Sequence, residues 1–544
     1  MRCIAEIREN IVGTLSPIVV KELRQAIKSR FLETGLLFLL CVQLLIIGIF
    51  LFTHSATWSF VAGRSLFSTL VCVLLGTCLL LIPAYTGIRL AIECSGSSIN
   101  VLFNTTLRAW SIIWGKFLAA LFLAVLLYSA CVPFLTFICF MSGVDVPSLF
   151  VLMVLNFLVA AVSVQCALLI GCISSNWLLK TGIGFVWIVS MATAVFLFFK
   201  MMILPGGVLD SGVGSQFGST SFWTVALFVV VSASVLIGLL GFLATAAISP
   251  LPANRALPVR LYVAVIWFIT GLAAGICGVA LESFTLIEAW ACFHFLLYSV
   301  GFFVSVCERE RLGRRVLRSI PRRWFPRPIS FLFYSGSAGG VAWCSVMSFL
   351  TLFCVMQWYG IFYRLSIYDD FNHLTGQSLT TIMASVSGLV GSGGFPHKLS
   401  AKAHVDFISI ALLSVPFAYS YALGASMMRR HFLSQRISAA YTWVIALILV
   451  FISTAIIPVI LFLIFGNWET GWFIGSPVSL LLWLLDGDTG ILDASAALAI
   501  PCAMMLSVLD RTWFLKQYNS FWPLYEKTQV DRRHMNSCTA VGSS

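Results

Sequence analysis

Phe117-Leu-Ala-Ala-Leu-Phe-Leu-Ala-Val-Leu-Leu-Tyr-Ser-Ala-Cys-Val-Pro-Phe-Leu-Thr-Phe-Ile-Cys-Phe-Met141 runs for 25 residues without a charge. At about 1.5 Å per residue, a helix of this length crosses the roughly 30 Å of hydrocarbon in a bilayer. Runs of comparable character recur at Gly35–Phe52, Leu66–Ile88, Phe150–Ile173, Gly182–Met202, Phe222–Ala247, Leu261–Ala280, Phe284–Cys307, Gly339–Phe362, Phe407–Met427, Tyr441–Phe465 and Ile491–Leu509. The expectation is an all-α polytopic integral membrane protein of about twelve spans. A further run, Phe473–Leu485, is short and holds Pro477, so it reads as re-entrant or interfacial.

Composition agrees. Of 544 residues, 60% are apolar and 10% charged, against about 25% charged in soluble domains. Lipid is the solvent that tolerates such a surface, because each helix satisfies its own backbone groups. The sixteen cysteines, among them Cys41, Cys72, Cys78, Cys131, Cys139 and Cys166, lie mostly inside apolar runs. They read as small apolar residues rather than a disulfide framework or metal site.

Lys and Arg set the orientation. With the N-terminus in the cytoplasm, all but Arg64, Lys200, Arg364, Lys398 and Lys402 of the 33 basic residues fall in cytoplasmic connections. Both termini are then cytoplasmic. This bias also explains the net charge of +12, and the Arg-rich stretch from Glu308 to Arg327 is a connection between spans, not a nucleic-acid site.

The expected organisation is a cytoplasmic N-terminal segment at 1–34 and a first transmembrane half at 35–249 with a cytoplasmic segment at 89–116. A linker at 250–260 follows. The second half covers 261–509, with a basic cytoplasmic loop at 308–328 and an outer loop at 363–403, and a cytoplasmic tail occupies 510–544. In the N-terminal segment Ser16 suits a helix cap and Pro17 its first position. Val19, Leu23, Ile27 and Phe31 then share a face, with Lys21, Arg24, Lys28 and Arg30 elsewhere. That pattern is a basic amphipathic helix in the membrane interface. The alternation of Asn100–Lys116 suggests a second helix along the membrane surface.

Site chemistry is sparse. The phosphate loop Gly-x-x-x-x-Gly-Lys is missing its first glycine, since Trp110 stands there ahead of Gly115-Lys116. No catalytic or cofactor motif is found, so catalytic, cofactor-binding and metal residues are all expected to be none. Asp369, Asp370, His373, His397, His404 and Asp406 are scattered in and beside the outer loop without metal-ligand spacing. The candidate intramembrane polar residues are His294, near a span centre, and Glu288, closer to its outer end. His294 reads as a packing residue in preference to a proton relay. Gly271-x-x-x-Gly275 and Gly336-x-x-x-Gly340 read as close helix packing.

Two stretches carry a resemblance. Ser16-Pro-Ile-Val-Val-Lys-Glu-Leu-Arg-Gln-Ala-Ile-Lys-Ser-Arg30, and Glu93 through Ile112-Ile113-Trp114-Gly115-Lys116 to Leu121, resemble permease subunits of bacterial ATP-binding-cassette exporters of the type-2 class. The likeness covers about residues 15–185; Cys94-Ser95-Gly96 and Thr106 depart from the family pattern. The resemblance implies an exporter subunit in the inner (cytoplasmic) membrane, without enzymatic activity of its own, driven by a separate cytosolic ATPase that supplies ATP hydrolysis. It implies a coupling helix near Ile99–Lys116 and a transmission surface of Lys21, Glu22, Arg24, Glu93, Gly115 and Lys116. The implied partners are that ATPase, the lipid bilayer and a second permease subunit or a second copy, with no nucleic acid. An ion-coupled secondary transporter and a membrane-embedded envelope- or lipid-processing protein are the alternatives.

Overall fold

A computed structural model of the chain describes residues 17–53, 60–94, 109–142, 146–173, 177–203, 220–249, 254–280, 284–308, 314–320, 326–369, 400–433, 439–465, 476–477, 479 and 489–521. Among the described residues the regular elements are helical and no strand occurs. Among those residues ten helices are long and apolar enough to cross a membrane, or eleven if the bent pair Ser495–Leu509 and Arg511–Ser520 is one span. The chain is therefore a multi-pass, all-helical membrane protein. It divides into two compact units, 1–250 and 251–544.

The first unit contains α1 (Pro17–Ile27), α2 (Arg30–Thr53), α3 (Phe60–Glu93), α4 (Ala109–Ser142), α5 (Val146–Cys172), α6 (Trp177–Ile203) and α7 (Thr220–Ile248). Its core joins Leu39 of α2, Phe67, Leu70, Leu74 and Leu79 of α3, Leu127 and Leu135 of α4, and Leu152 and Leu168 of α5. Helices α3 and α5 approach most closely where glycine leaves room. A Cβ on Gly171 would lie 2.8 Å from the Gly87 carbonyl oxygen, and one on Gly87 would lie 2.9 Å from that of Ala167. Large apolar residues such as Phe38, Phe52, Phe150 and Phe185 face outward, as lipid-facing residues of a spanning helix must.

The second unit contains α8 (Ala256–Ala280), α9 (Thr285–Val306), α10 (Arg314–Ser319), α11 (Pro326–Phe333), α12 (Ser337–Asp369) and α13 (Ser400–Met428). These are followed by α14 (Thr442–Phe451), α15 (Ile457–Phe465), α16 (Thr489–Leu509) and α17 (Arg511–Ser520). Helix α9 is central, flanked by α8, α12 and α13. The i→i+4 ladder relaxes into π turns at Arg429–Leu433 and at Ile452–Ile456, the latter joining α14 to α15. Tyr421 on α13 donates to Ser453 Oγ in that second turn at 2.7 Å.

Several expectations need correction. The fifth expected span, Gly182–Met202, lies within α6, whose apolar stretch among the described residues is the shorter Lys180–Phe196. Residues 109–116 are not a surface helix but the first two turns of α4, because Ile112, Ile113 and Phe117 are buried and Lys116 is neutralised there. The second span continues past Ile88, so Arg89 and Glu93 ride on the last turns of α3. Ala256–Arg260 belong to α8 rather than to a linker. The tail begins with a helix, α17, that packs beside α12. Gly271 and Gly275 admit the rings of Trp290 and Trp358, whereas Gly336 has no close neighbour and serves through its backbone. Most of Phe473–Leu485 and residues 95–108 lie outside the described residues.

Candidate functional site

Helix α1 rests on the foot of α4 through Ile18, Val19, Glu22 and Ala26, all buried. This stripe is rotated from the expected one: Leu23 is only half-buried and Ile27 is 70% exposed. The reason lies on α4. Gly115 has no side chain, and a Cβ there would lie 2.8 Å from Ile18 Cγ2. One helical turn beyond Ile18, Glu22 meets Lys116. The seat therefore selects a face that carries a carboxylate over one that is wholly apolar.

Lys116 Nζ donates to Glu22 Oε1 at 2.7 Å and to Glu93 Oε1 at 3.1 Å. Its side chain is 5% exposed, against 11% for Glu22 and 34% for Glu93. One ammonium thus joins α1, α3 and α4, and the cluster carries a net charge of −1. Arg89, on α3, donates to Gln25 of α1 at 2.5 Å, which adds a second tie between α1 and α3, and to Tyr85 of its own helix at 2.6 Å. Tyr85, Arg89, Glu22 and Lys116 line a small cleft under α1. Lys180 of α6 donates to the Gly171 carbonyl at 3.4 Å.

Of the residues implied as a transmission surface, the structure brings Glu22, Glu93 and Lys116 into contact and places Gly115 beneath Ile18. Lys21 and Arg24 point to the exposed side of α1, and Lys28 and Arg30, which follow it, are exposed as well. The implied surface thus has a buried anchor and an exposed basic face.

His294 is 2% exposed in α9. Its Nδ1 lies 2.8 Å from the Trp290 carbonyl oxygen. That oxygen can only accept, so Nδ1 carries the proton and Nε2 is an acceptor. Among the described residues Nε2 has no hydrogen-bond partner. Trp290, Phe293 and Tyr298 surround the ring. Glu288 is half-buried in the first turn of the same helix, roughly 240° around from His294. The structure does not bring the two together.

The second unit has an ion cluster that sequence reasoning missed. Arg260 of α8 donates through Nη2 to both carboxylate oxygens of Glu308 at 2.6 Å, and through Nη1 to the carbonyls of Leu332 and Tyr334 at 2.7 Å. The Gly336 N–H also donates to Glu308. Arg260 therefore fixes the turn between α11 and α12. Arg430 pairs with Asp510 and stacks over Trp513. Spacings of 48 and 80 residues hide both pairs from any local pattern.

Among the described residues no group of His, Cys, Asp and Glu is arranged to hold a metal. Of the outer-loop set, Asp369 ends α12 and His404 and Asp406 lie in the first turns of α13. Residues 370, 373 and 397 fall outside the described residues.

What fold and site define is a class, the multi-pass helical membrane protein with buried ion clusters at the ends of its spans. No family model matches the chain, and no curated protein or solved structure is significantly similar to it.

Proposed function

We propose that this chain is the permease subunit of an ATP-driven exporter in the cytoplasmic membrane, with twelve spans and both termini cytoplasmic. A separate cytosolic ATPase supplies the energy. The observation that carries this reading is the Glu22–Lys116–Glu93 cluster. A buried ion cluster adds little net stability, because desolvation offsets most of its attraction. Its use is positional: it ties a surface helix to the feet of two spans, so force on α1 reaches α3 and α4. The exposed face of α1, with Lys21 and Arg24, together with the exposed Lys28 and Arg30 just beyond it, is the side open to a partner. The chain itself performs no chemistry and needs no cofactor in this scheme.

The test is gentle-detergent purification of the tagged chain from its native membrane, assayed for orthovanadate-sensitive ATP hydrolysis. Activity well above a mock purification supports the proposal. Its absence, beside a transporter of this class that keeps its ATPase under the same conditions, rejects it.

A second reading has its own observation. The unpartnered Nε2 of His294 lies near the centre of a span, where an ion-coupled transporter would place a titrating group. It requires transport to follow a proton or ion gradient without an ATPase, and to fail on substitution of His294.

A further inference from the structure

Two cysteines meet where α3 and α5 end. Cys94 closes the last turn of α3, its N–H donating to the Leu90 carbonyl at 2.9 Å. Cys172 is the last residue of α5. Their thiols are hydrogen-bonded to each other. The backbones are brought close by the glycine crossing. A Cβ on Gly171, the neighbour of Cys172, would lie 3.3 Å from the Ala91 nitrogen and 3.4 Å from Leu90 Cβ, one turn before Cys94. Cys94 is half-buried and Cys172 buried, so one sulfur is reachable and the other stands behind it.

The surroundings favour a thiolate at the reachable position. The Cys172 thiol donates to Cys94 and holds its pKa below the usual thiol range. The ammonium groups of Lys180 and Lys116 act in the same direction, while burial and Glu93 oppose them. The Lys180 contact with the Gly171 carbonyl places that charge at the end of α5 independently. A low-pKa, partly accessible thiol beside a second thiol is the arrangement of a peroxide-responsive pair.

We propose that Cys94 and Cys172 form a reversible oxidation site for hydroperoxides, which closes as a disulfide between the ends of α3 and α5. The Cys94 thiolate attacks one peroxide oxygen. The O–O bond breaks, the leaving oxygen takes up a proton as water or an alcohol, and Cys94 becomes a sulfenic acid. The Cys172 sulfur, losing its proton, displaces hydroxide from Cys94, which departs as water. The two sulfurs give two electrons to one peroxide, and a dithiol reductant reverses the change. The disulfide would pin α3 one residue beyond Glu93, stiffening the end of the helix that shares Lys116. This site does not depend on the permease reading.

The experiment uses the full-length protein in detergent, exposed to hydrogen peroxide, alkylated and digested without reduction for mass spectrometry. The expected product is a Cys94–Cys172 linked peptide that dithiothreitol removes. In the Cys172→Ser variant, a sulfenic-acid-trapping diketone should label Cys94 about tenfold faster than Cys307, which is likewise half-buried just beyond the end of a span, as a thiolate-rich sulfur requires. The proposal is overturned if the wild-type protein yields no linked peptide. It is equally overturned if Cys94 reacts no faster than Cys307.

Discussion

Lys116 Nζ lies 2.7 Å from Glu22 Oε1 across 94 residues of chain, and this contact decides which face of α1 is buried. Lys116→Met leaves the Glu22 carboxylate buried without its cation, and such a loss costs about 3–5 kcal/mol. The expected result is a marked drop in melting temperature in detergent, read by size-exclusion chromatography of heated samples. Glu22→Gln/Lys116→Met should recover much of the loss, since the stranded charge is gone. A single variant as stable as the parent would show that the pair contributes no more than an exposed one.

Gly115 and Ile18 test the same seat from the packing side. Gly115→Ala pushes a methyl into Ile18 and should weaken the docking of α1 by about 1–3 kcal/mol, as overpacking does. Hydrogen exchange over residues 17–27 should speed up while that of α9 stays unchanged. Adding Ile18→Ala should restore protection. Failure of that rescue would mean that α1 is not held through this contact.

Arg260 offers a discriminating pair of substitutions. Arg260→Met strands Glu308 and should cost about 3–5 kcal/mol. Arg260→Lys keeps the charge but loses the planar fork that serves Glu308, Leu332 and Tyr334 together, so rescue should be partial. Thermal stability of the three proteins should rank Arg, then Lys, then Met; equal stability of Arg and Lys would contradict the forked geometry.

His294→Phe should leave stability within about 1 kcal/mol of the parent or raise it, because a buried acceptor without a partner is removed and an aromatic ring of similar shape remains. Preserved ATP-dependent transport in that variant agrees with a packing role. A folded variant with no transport would favour the ion-coupled reading.

Cys307 lies just beyond α9 with its thiol donating to the Phe303 carbonyl at 3.1 Å, and burial pushes its pKa up to about 11. The neutral thiol therefore persists through the neutral range, and only as pH rises toward that value does the thiolate form. Maleimide labelling of Cys307 at pH 7 should be much slower than that of Cys94 and should climb steeply above pH 10. Rapid labelling at pH 7 would contradict a neutral, half-buried thiol.

The spans were legible because a charge-free run of the right length has few other uses. Their ends were less so. Arg89 and Glu93 look like loop residues by charge, yet they stay on α3 because Gln25 and Lys116 receive them. The amphipathic pattern at 17–31 pointed to an apolar face through Ile27, but the buried ion pair overrode it. Glu22, Glu93 and Lys116 were grouped only through a family resemblance; nothing local says that one lysine joins both carboxylates. Arg260 with Glu308 gave no signal, since both read as charges at the edges of a span.

The most direct test of the account asks what touches the exposed face of α1. A photo-crosslinking amino acid at Arg24, on that basic face, is compared with one at Phe52, which is 86% exposed at the far end of α2. Irradiation in native membranes should join an ATPase to the Arg24 position and none to the Phe52 position. No ATPase adduct at Arg24, or equal adducts at both positions, would contradict the claim that α1 receives a cytosolic motor.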